Sequence, residues 1–365
     1  MVVAFAAWRV KKRPSHEVIR RTITTLVLLI DAAWALKLTS AESSPLFGPG
    51  LPKRARVVMV QDSAAITAFD PQPEKIEGMV RRGLVAMTGQ STTVAAWRNL
   101  VSTQDVVGIK VFSAPGKTSG TRPAVVSAVI KTLLEAGLPA QQIIVWDKHL
   151  SDLRLAGFFE LAERHGVRVA GCVEEGYDEN VSYPTSLIGK LVWGDFEFGR
   201  KDDRIGRKSF VSKLVTQKMT KIINVTPLLN HNLAGVSGNL FGLAFGSVDN
   251  SLRFESGPQH LANAIPEICA LPQLGDRVAL NIVDALICQY QGEEQMRLHD
   301  SAMLGQLRFG TDPVALDVLS IDELNRQRQL NKIPAVTPNL QIYSNASLLE
   351  IGVSDPQKID VIRVP

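Results

Sequence analysis

The sequence predicts an α/β protein built on an open, mostly parallel, Rossmann-like sheet with helices on both faces. Three observations carry that prediction. Apolar runs such as VVGIKVF and QIIVWD have the length and composition of strands buried on both faces. Helix-length segments with Pro or Gly at their ends separate such runs. The order is strand, helix, strand, helix, which demands parallel neighbours joined by right-handed crossovers.

The elements follow in order. RVVMVQD (Arg56 to Asp62) is the first strand, and Pro73 opens a helix to about Met87. VVGIKVF (Val106 to Phe112) is a buried strand, and Arg122 to Ala136 is a helix stopped by Gly137 and Pro139. QIIVWD (Gln142 to Asp147) is the next buried strand, and Ser151 is placed to cap a helix reaching His165. From 171 to about 210 the chain turns polar, which predicts a β-rich insertion within a single domain spanning 56–365. KIINVTPL (Lys221 to Leu228) and RVALNIVDAL (Arg277 to Leu286) resume the parallel pattern. A short strand in LGQLRFG, a helix capped at Thr311 or Asp312, and a closing strand in KIDVIRVP complete the sheet.

Charge is unevenly spread along the 365 residues. Residues 1–41 hold seven basic and two acidic side chains, so this segment carries +5 of a net +4 and the remainder sums to −1. A nearly neutral body argues against nucleic acid as the partner. The pair Arg20–Arg21, followed by a short apolar region closing on Ala41, resembles a twin-arginine export signal. That implies an exported, periplasmic protein whose first partner is the export machinery; the alternative is an amphipathic N-terminal helix on a cytoplasmic protein. Only Thr22 to Ile30 are uncharged before Asp31, too few for a transmembrane anchor, which needs roughly 20 residues. Residues 42–55, rich in Pro, Gly and Ser, form a linker. Cys172, Cys269 and Cys288 form no CxxC pair and cannot supply the four thiolates of an iron–sulfur cluster. Buried thiols are the default for all three, with one disulfide open to an exported chain.

FSAPGKTSGTRP (Phe112 to Pro123) contains Gly-Lys-Thr-Ser, the tail of a phosphate-binding loop. The full pattern fails, because Val111 stands where the first glycine belongs and Ser119–Gly120 discourage a helix after the lysine. Thr121, followed by Pro123, is the expected helix cap. Lys110, Lys117 and Arg122 nonetheless gather cations around a helix start, a pattern suited to a phosphate or carboxylate. Ligands of open α/β sheets sit beyond the carboxyl ends of the strands, where further candidates fall. Asp147 and His149 follow one strand; Asp147 is an acid–base or metal candidate, or else the ion-pair partner of Lys110 or Arg122. Asn230, His231 and Asn239 follow another in NHNLAGVSGN, where His231 is the leading catalytic candidate. Asn250 and Arg253 in SVDNSLRF offer a clamp for an anion, with a buried salt bridge as the alternative. Asp284 closes a strand and is a base or metal candidate; Asp312 is a cap, and Asp317 faces either site or solvent. A divalent metal would require Asp147, His149, His231 and Asp284 to converge.

VVGIKVF with TRPAVVSAVIKTLLEAG and IIVWDK, then INVTPLLNHNLAGVSGNLFG, FGSVDNSLRF, NIVDAL and RFGTDPVALD, occur in the order found in the domain-of-unknown-function family 362. The sequence resembles the exported members of that family over roughly residues 100–320. The resemblance implies an α/β fold but no reaction. Several family features are replaced here: Val111–Phe112 for Pro-Asn, no lysine before Asn239, Glu255 for histidine, and no iron–sulfur domain. Two readings of function follow. One is an enzyme whose cleft binds a small anionic substrate or cofactor, with a metal-dependent hydrolase as a variant; the other is a non-catalytic periplasmic binding protein.

Overall fold

The computed structural model describes residues 54–189, 205–292, 295–334 and 339–365. The export-like segment 1–41, most of the linker and the middle of the insertion lie outside the described residues. The strands are β1 (Ala55–Gln61), β2 (Val107–Val111), β3 (Ile143–Asp147), β4 (Arg168–Gly171), β5 (Tyr177–Pro184), β6 (Lys208–Ser212), β7 (Lys221–His231), β8 (Gly235–Val236), β9 (Val278–Gln289), β10 (Ser301–Gly310) and β11 (Ile359–Val364). The principal helices are α1 (Pro73–Thr88), α2 (Thr93–Leu100), α3 (Pro123–Glu135), α4 (Leu150–Leu155), α5 (Phe158–His165), α6 (Asn239–Ser247), α7 (Pro258–Cys269), α8 (Pro313–Leu330) and α9 (Gln341–Leu348).

The central sheet runs β11-β1-β10-β9-β7-β2-β3-β4, with β8 folded back on the end of β7. Every pairing along this path is parallel except the two made by β10, which is antiparallel to both β1 and β9. The fully buried runs in β2, β3 and β7 are what helices on both faces require. Alternation along the strands sorts the core into two layers. Ile109, Val111, Val225, Ile282 and Leu286 pack with α1, α2, α3 and α5 on one face. Trp146, Ile222, Leu228, Val283 and Ala285 pack with α6, α7, α8 and α9 on the other.

Local signals explain most boundaries. Pro123 occupies the first turn of α3, and Gly137, at φ 95°, ends the helical path just beyond it. Asp312 caps α8 as expected, its Oδ1 accepting the Ala315 N–H at 2.9 Å. The helix expected from Ser151 to His165 is instead two helices, because Gly157 adopts φ 85° between them and α4 starts after His149 rather than at Ser151. Within the polar excursion, β5 and β6 form an antiparallel hairpin. Among the described residues no helix is long and apolar enough to cross a membrane.

Candidate functional site

Lys110 and Asp147 end up under α6. Their strands are in register, Lys110 beside Trp146 and Asn224, with Asn281 beside Asn224, so a polar row of Lys110, Asn224 and Asn281 crosses three strands at one level. Lys110 Nζ donates to Asp147 Oδ1 at 2.8 Å and to the Val111 carbonyl at 2.6 Å. Asp147 Oδ2 accepts from the Ser113 N–H at 2.8 Å and the Ser113 hydroxyl at 2.7 Å. Burial pushes the Asp147 carboxyl up, but the Lys110 ammonium and the two Ser113 bonds outweigh it and hold the group below its ordinary value. Asp147 is therefore a fixed charge at neutral pH, not a base waiting for a proton. A glycine makes the close cover possible: a Cβ at Gly246 of α6 would stand 2.4 Å from Lys110 Cε.

The loop after β2 is closed on itself. Thr121 N–H donates to the Phe112 carbonyl at 2.9 Å, and the Thr121 hydroxyl accepts the Phe112 N–H at 2.9 Å while donating to the Val225 carbonyl at 2.7 Å. Thr121 thus ties the loop to β7 instead of capping α3, whose N-cap is Arg122 with no side-chain cap. Inside the loop, Gly116–Ser119 forms one helical turn although Ser119–Gly120 were expected to discourage a helix there; Gly116 at φ 77° starts it, and Gly120 ends it. A Cβ at Gly120 would meet two carbonyl oxygens at 2.6 Å, so the ring closes only around glycine. Ser119 Oγ donates to Gln289 Oε1 at 2.6 Å, fastening the turn to the end of β9. Lys117, on this turn, is exposed and makes no ion pair among the described residues.

Arg122 lies on the opposite face from Lys110. Its backbone N–H donates to Asp284 Oδ2 at 3.0 Å, and Nη2 donates to the Thr118 carbonyl at 2.8 Å. Nη1 sits 2.8 Å from Asp284 Oδ1 as an ion pair but outside hydrogen-bond geometry, and Nε is buried with no hydrogen-bond partner. Asp284 does not close its strand: β9 runs on to Gln289, and its register slips after Asp284 against β7 and after Ala285 against β10. That bulge aims the carboxylate at the start of α3. The two carboxylates and two cations form two neutral pairs on opposite faces of the sheet, joined by the loop from Ser113 to Gly120.

The remaining candidates serve other contacts. Asn230 and His231 are strand residues, paired with Val236 and Gly235, not loop residues. Asn230 Oδ1 accepts from the buried Arg328, and its Nδ2 donates to Asn232. His231 Nδ1 accepts the N–H groups of Leu233 at 3.2 Å and Ala234 at 3.0 Å, and the ring lies 4.2 Å from that of Phe241. Asn239 opens α6, and Asp317 caps that helix through both oxygens, accepting from Asn239 N–H, Asn239 Nδ2 and Leu240 N–H. Burial overrides these bonds and pushes the Asp317 carboxyl up to about 6. Asn250, at φ 43°, donates to the carbonyls of Gly206 and Lys208. Arg253 donates to the carbonyls of Leu187 and Tyr183 and to Ser209 Oγ, pinning the insertion hairpin. His149 is half-buried at the start of α4.

Among the described residues no three of His, Cys, Asp or Glu are placed to hold a metal ion, so Asp147, His149, His231 and Asp284 do not form one ligand set. All three cysteines are buried free thiols. Sequence reasoning missed Ser113, Asn224, Asn281 and Gln289. Asn224 and Asn281 carried a usable signal, each a polar side chain interrupting an apolar strand, as Lys110 does. Ser113 and Gln289 carried none, since their partners are distant in sequence.

A family model described as "Domain of unknown function (DUF362)" matches residues 107–322, more than half of the chain. No protein of curated function matches. A crystal structure of a Thermotoga maritima protein is similar at 12% identity and a TM-score of 0.39, over 72% of this chain and 60% of that one.

Proposed function

The chain belongs to the DUF362 family, and we propose that it binds a small phosphate- or carboxylate-bearing molecule at the carboxyl edge of the sheet, around the closed loop from Ser113 to Gly120. The observation that supports this reading is Arg122: a guanidinium 2% exposed, at the start of α3, whose Nε has no hydrogen-bond partner although it is buried. Buried donors are nearly always satisfied, and one left open beside a helix start suits an incoming acceptor. Lys117, exposed on the same loop, supplies a cation not committed to an ion pair among the described residues. Proton transfer, if the bound molecule reacts, falls to His231 in preference to Asp147 or Asp284, because both carboxylates are committed to buried ion pairs.

The test is thermal denaturation of the full chain with inorganic phosphate, pyrophosphate and dicarboxylates at matched ionic strength. At least one anion raises the midpoint of the wild type, and Lys117→Ala weakens that anion roughly tenfold, the loss of one charge-assisted contact. If none of these anions stabilises the wild type, the reading fails. Export is a separate proposal: replacing Arg20 and Arg21 by lysine retains the protein in the cytoplasm of an exporting host, and unchanged fractionation refutes it.

A further inference from the structure

At the opposite end of the sheet lies a cavity of about 250 Å³, unconnected to the loop around Arg122 by any shared lining residue. About half of its wall is apolar, from Leu240 and Leu243 of α6, Val278 at the start of β9, and Ile351. Asn281, fully buried and part of the polar row, also lines it; its Nδ2 has only a 3.5 Å contact with the Thr311 carbonyl. Roughly 150 Å³ of apolar space holds a benzene ring, so this cavity suits one ring with a short side chain.

The electrostatics of the lining have one sign. Asp276 and Glu350 line the cavity, both exposed, and the lining contains no Lys, Arg or His. Two helices end at the cavity with their carbonyl termini: α7 at Cys269 and Ala270, and α9 at Leu349 and Glu350. Carbonyl ends carry partial negative charge and favour cations. Two helix starts also reach the lining, those of α8 at Pro313 and α6 at Leu240, but the carboxylates of Asp312 and Asp317 already cap them. Cys269 adds no anion, because burial pushes its thiol well above the ordinary value. Glu350 is held at φ 58°, a left-handed backbone that a non-glycine residue adopts at a cost.

We infer that this cavity binds a small amphipathic organic cation, with an apolar ring between α6 and β9 and an ammonium group at the mouth facing Asp276 and Glu350. The inference does not depend on the anion site at the other edge. Its test is calorimetric titration of the full chain with phenethylamine, 2-phenylethanol and 3-phenylpropionate, which share a ring and differ in the head group. Phenethylamine binds at least tenfold more tightly than the other two, and Glu350→Gln and Asp276→Asn each weaken it severalfold while leaving 2-phenylethanol unchanged. Both substituted positions are exposed, so folding survives the changes; the circular dichroism of each variant checks this. Equal binding of alcohol and amine, preference for the acid, no heat from the amine, or no effect of either substitution overturns the inference.

Discussion

Replacing Lys110 by methionine tests the reading of the carboxyl edge most directly. The substitution keeps a straight, similarly long side chain beneath α6 and removes the ammonium, with its bonds to Asp147 and the Val111 carbonyl. Asp147, 6% exposed, would keep its two Ser113 bonds but lose the ammonium 2.8 Å away. Stranding one partner of a buried pair costs about 3–5 kcal/mol, against a total stability of about 5–15 kcal/mol. At roughly 2–3 °C per kcal/mol for a domain of this size, the midpoint falls by roughly 6–15 °C. The pH dependence has a definite sign. In the wild type the folded Asp147 pKa lies below its unfolded value, so its contribution is present above pH ~3.9 and is lost as pH falls through the folded pKa. In Lys110→Met burial acts unopposed by the ammonium and raises that pKa, so acid favours the variant. The gap between the two proteins therefore narrows between pH 7 and pH 4, measured by urea unfolding. The double variant Lys110→Met/Asp147→Leu recovers part of the loss, leaving about 1–3 kcal/mol for the Ser113 donors without an acceptor. A gap below 1 kcal/mol, a gap unchanged by pH, or a double variant worse than the single refutes the reasoning.

Further outcomes follow from other contacts. Asp317, raised to about 6 in the folded chain, binds a proton more readily folded than unfolded, so stability rises by on the order of 2–3 kcal/mol as pH falls from 7 to 4; Asp317→Asn flattens that slope in denaturant titrations, and an unchanged slope assigns it elsewhere. Gly246→Ala places a methyl against the pinned Lys110 side chain and costs about 1–3 kcal/mol by thermal unfolding; a neutral result means that Lys110 moves aside. Arg253→Lys loses the planar fork that holds the Leu187 and Tyr183 carbonyls, and limited proteolysis within 171–210 quickens at least severalfold while the sheet stays intact; equal cleavage rates refute the anchoring role. Nitrogen NMR finds neutral His231 with its proton on Nε2, because Nδ1 accepts two backbone N–H groups; a proton on Nδ1 contradicts this.

The sheet was legible because its strands are buried on both faces. Apolar runs of five to seven residues between capped helices leave few alternatives, and β1, β2, β3 and α3 fall within a residue or two of their expected limits. What escaped was set by distant partners or by single glycines. Gly157, in a left-handed conformation, splits one expected helix in two. β7 continues to His231 because β8 folds back against it, a pairing invisible in the local pattern. α6 carries two glycines among its nine residues and reads as a loop, yet it forms because Asp317, 78 positions away from Asn239, caps its start.

The candidate site was legible as residues, and the Lys110–Asp147 pair as one of two alternatives for Asp147, but the Arg122–Asp284 pair was not. Lys110, Arg122, Asp147 and Asp284 all lie at the carboxyl edge, and the sequence suggested a cationic pocket. The structure neutralises each cation with a carboxylate, on opposite faces of the sheet. Such pairs are poor devices for stability, since well-packed apolar side chains of similar volume often do as well or better. Four buried charges beside one closed loop are thus more economically explained by what the edge must hold than by what the core needs. Each pair fixes one side of the loop: Asp147 through Ser113, and Arg122 through the Thr118 carbonyl. A ligand seated on this loop would be positioned by both faces of the sheet together. The Lys110→Met/Asp147→Leu variant separates the two roles. Replacement of the pair leaves a folded protein, but the loop loses the carboxylate that holds Ser113. Any anion that stabilises the wild type then binds the double variant more weakly, while the cavity at the opposite edge keeps its phenethylamine affinity.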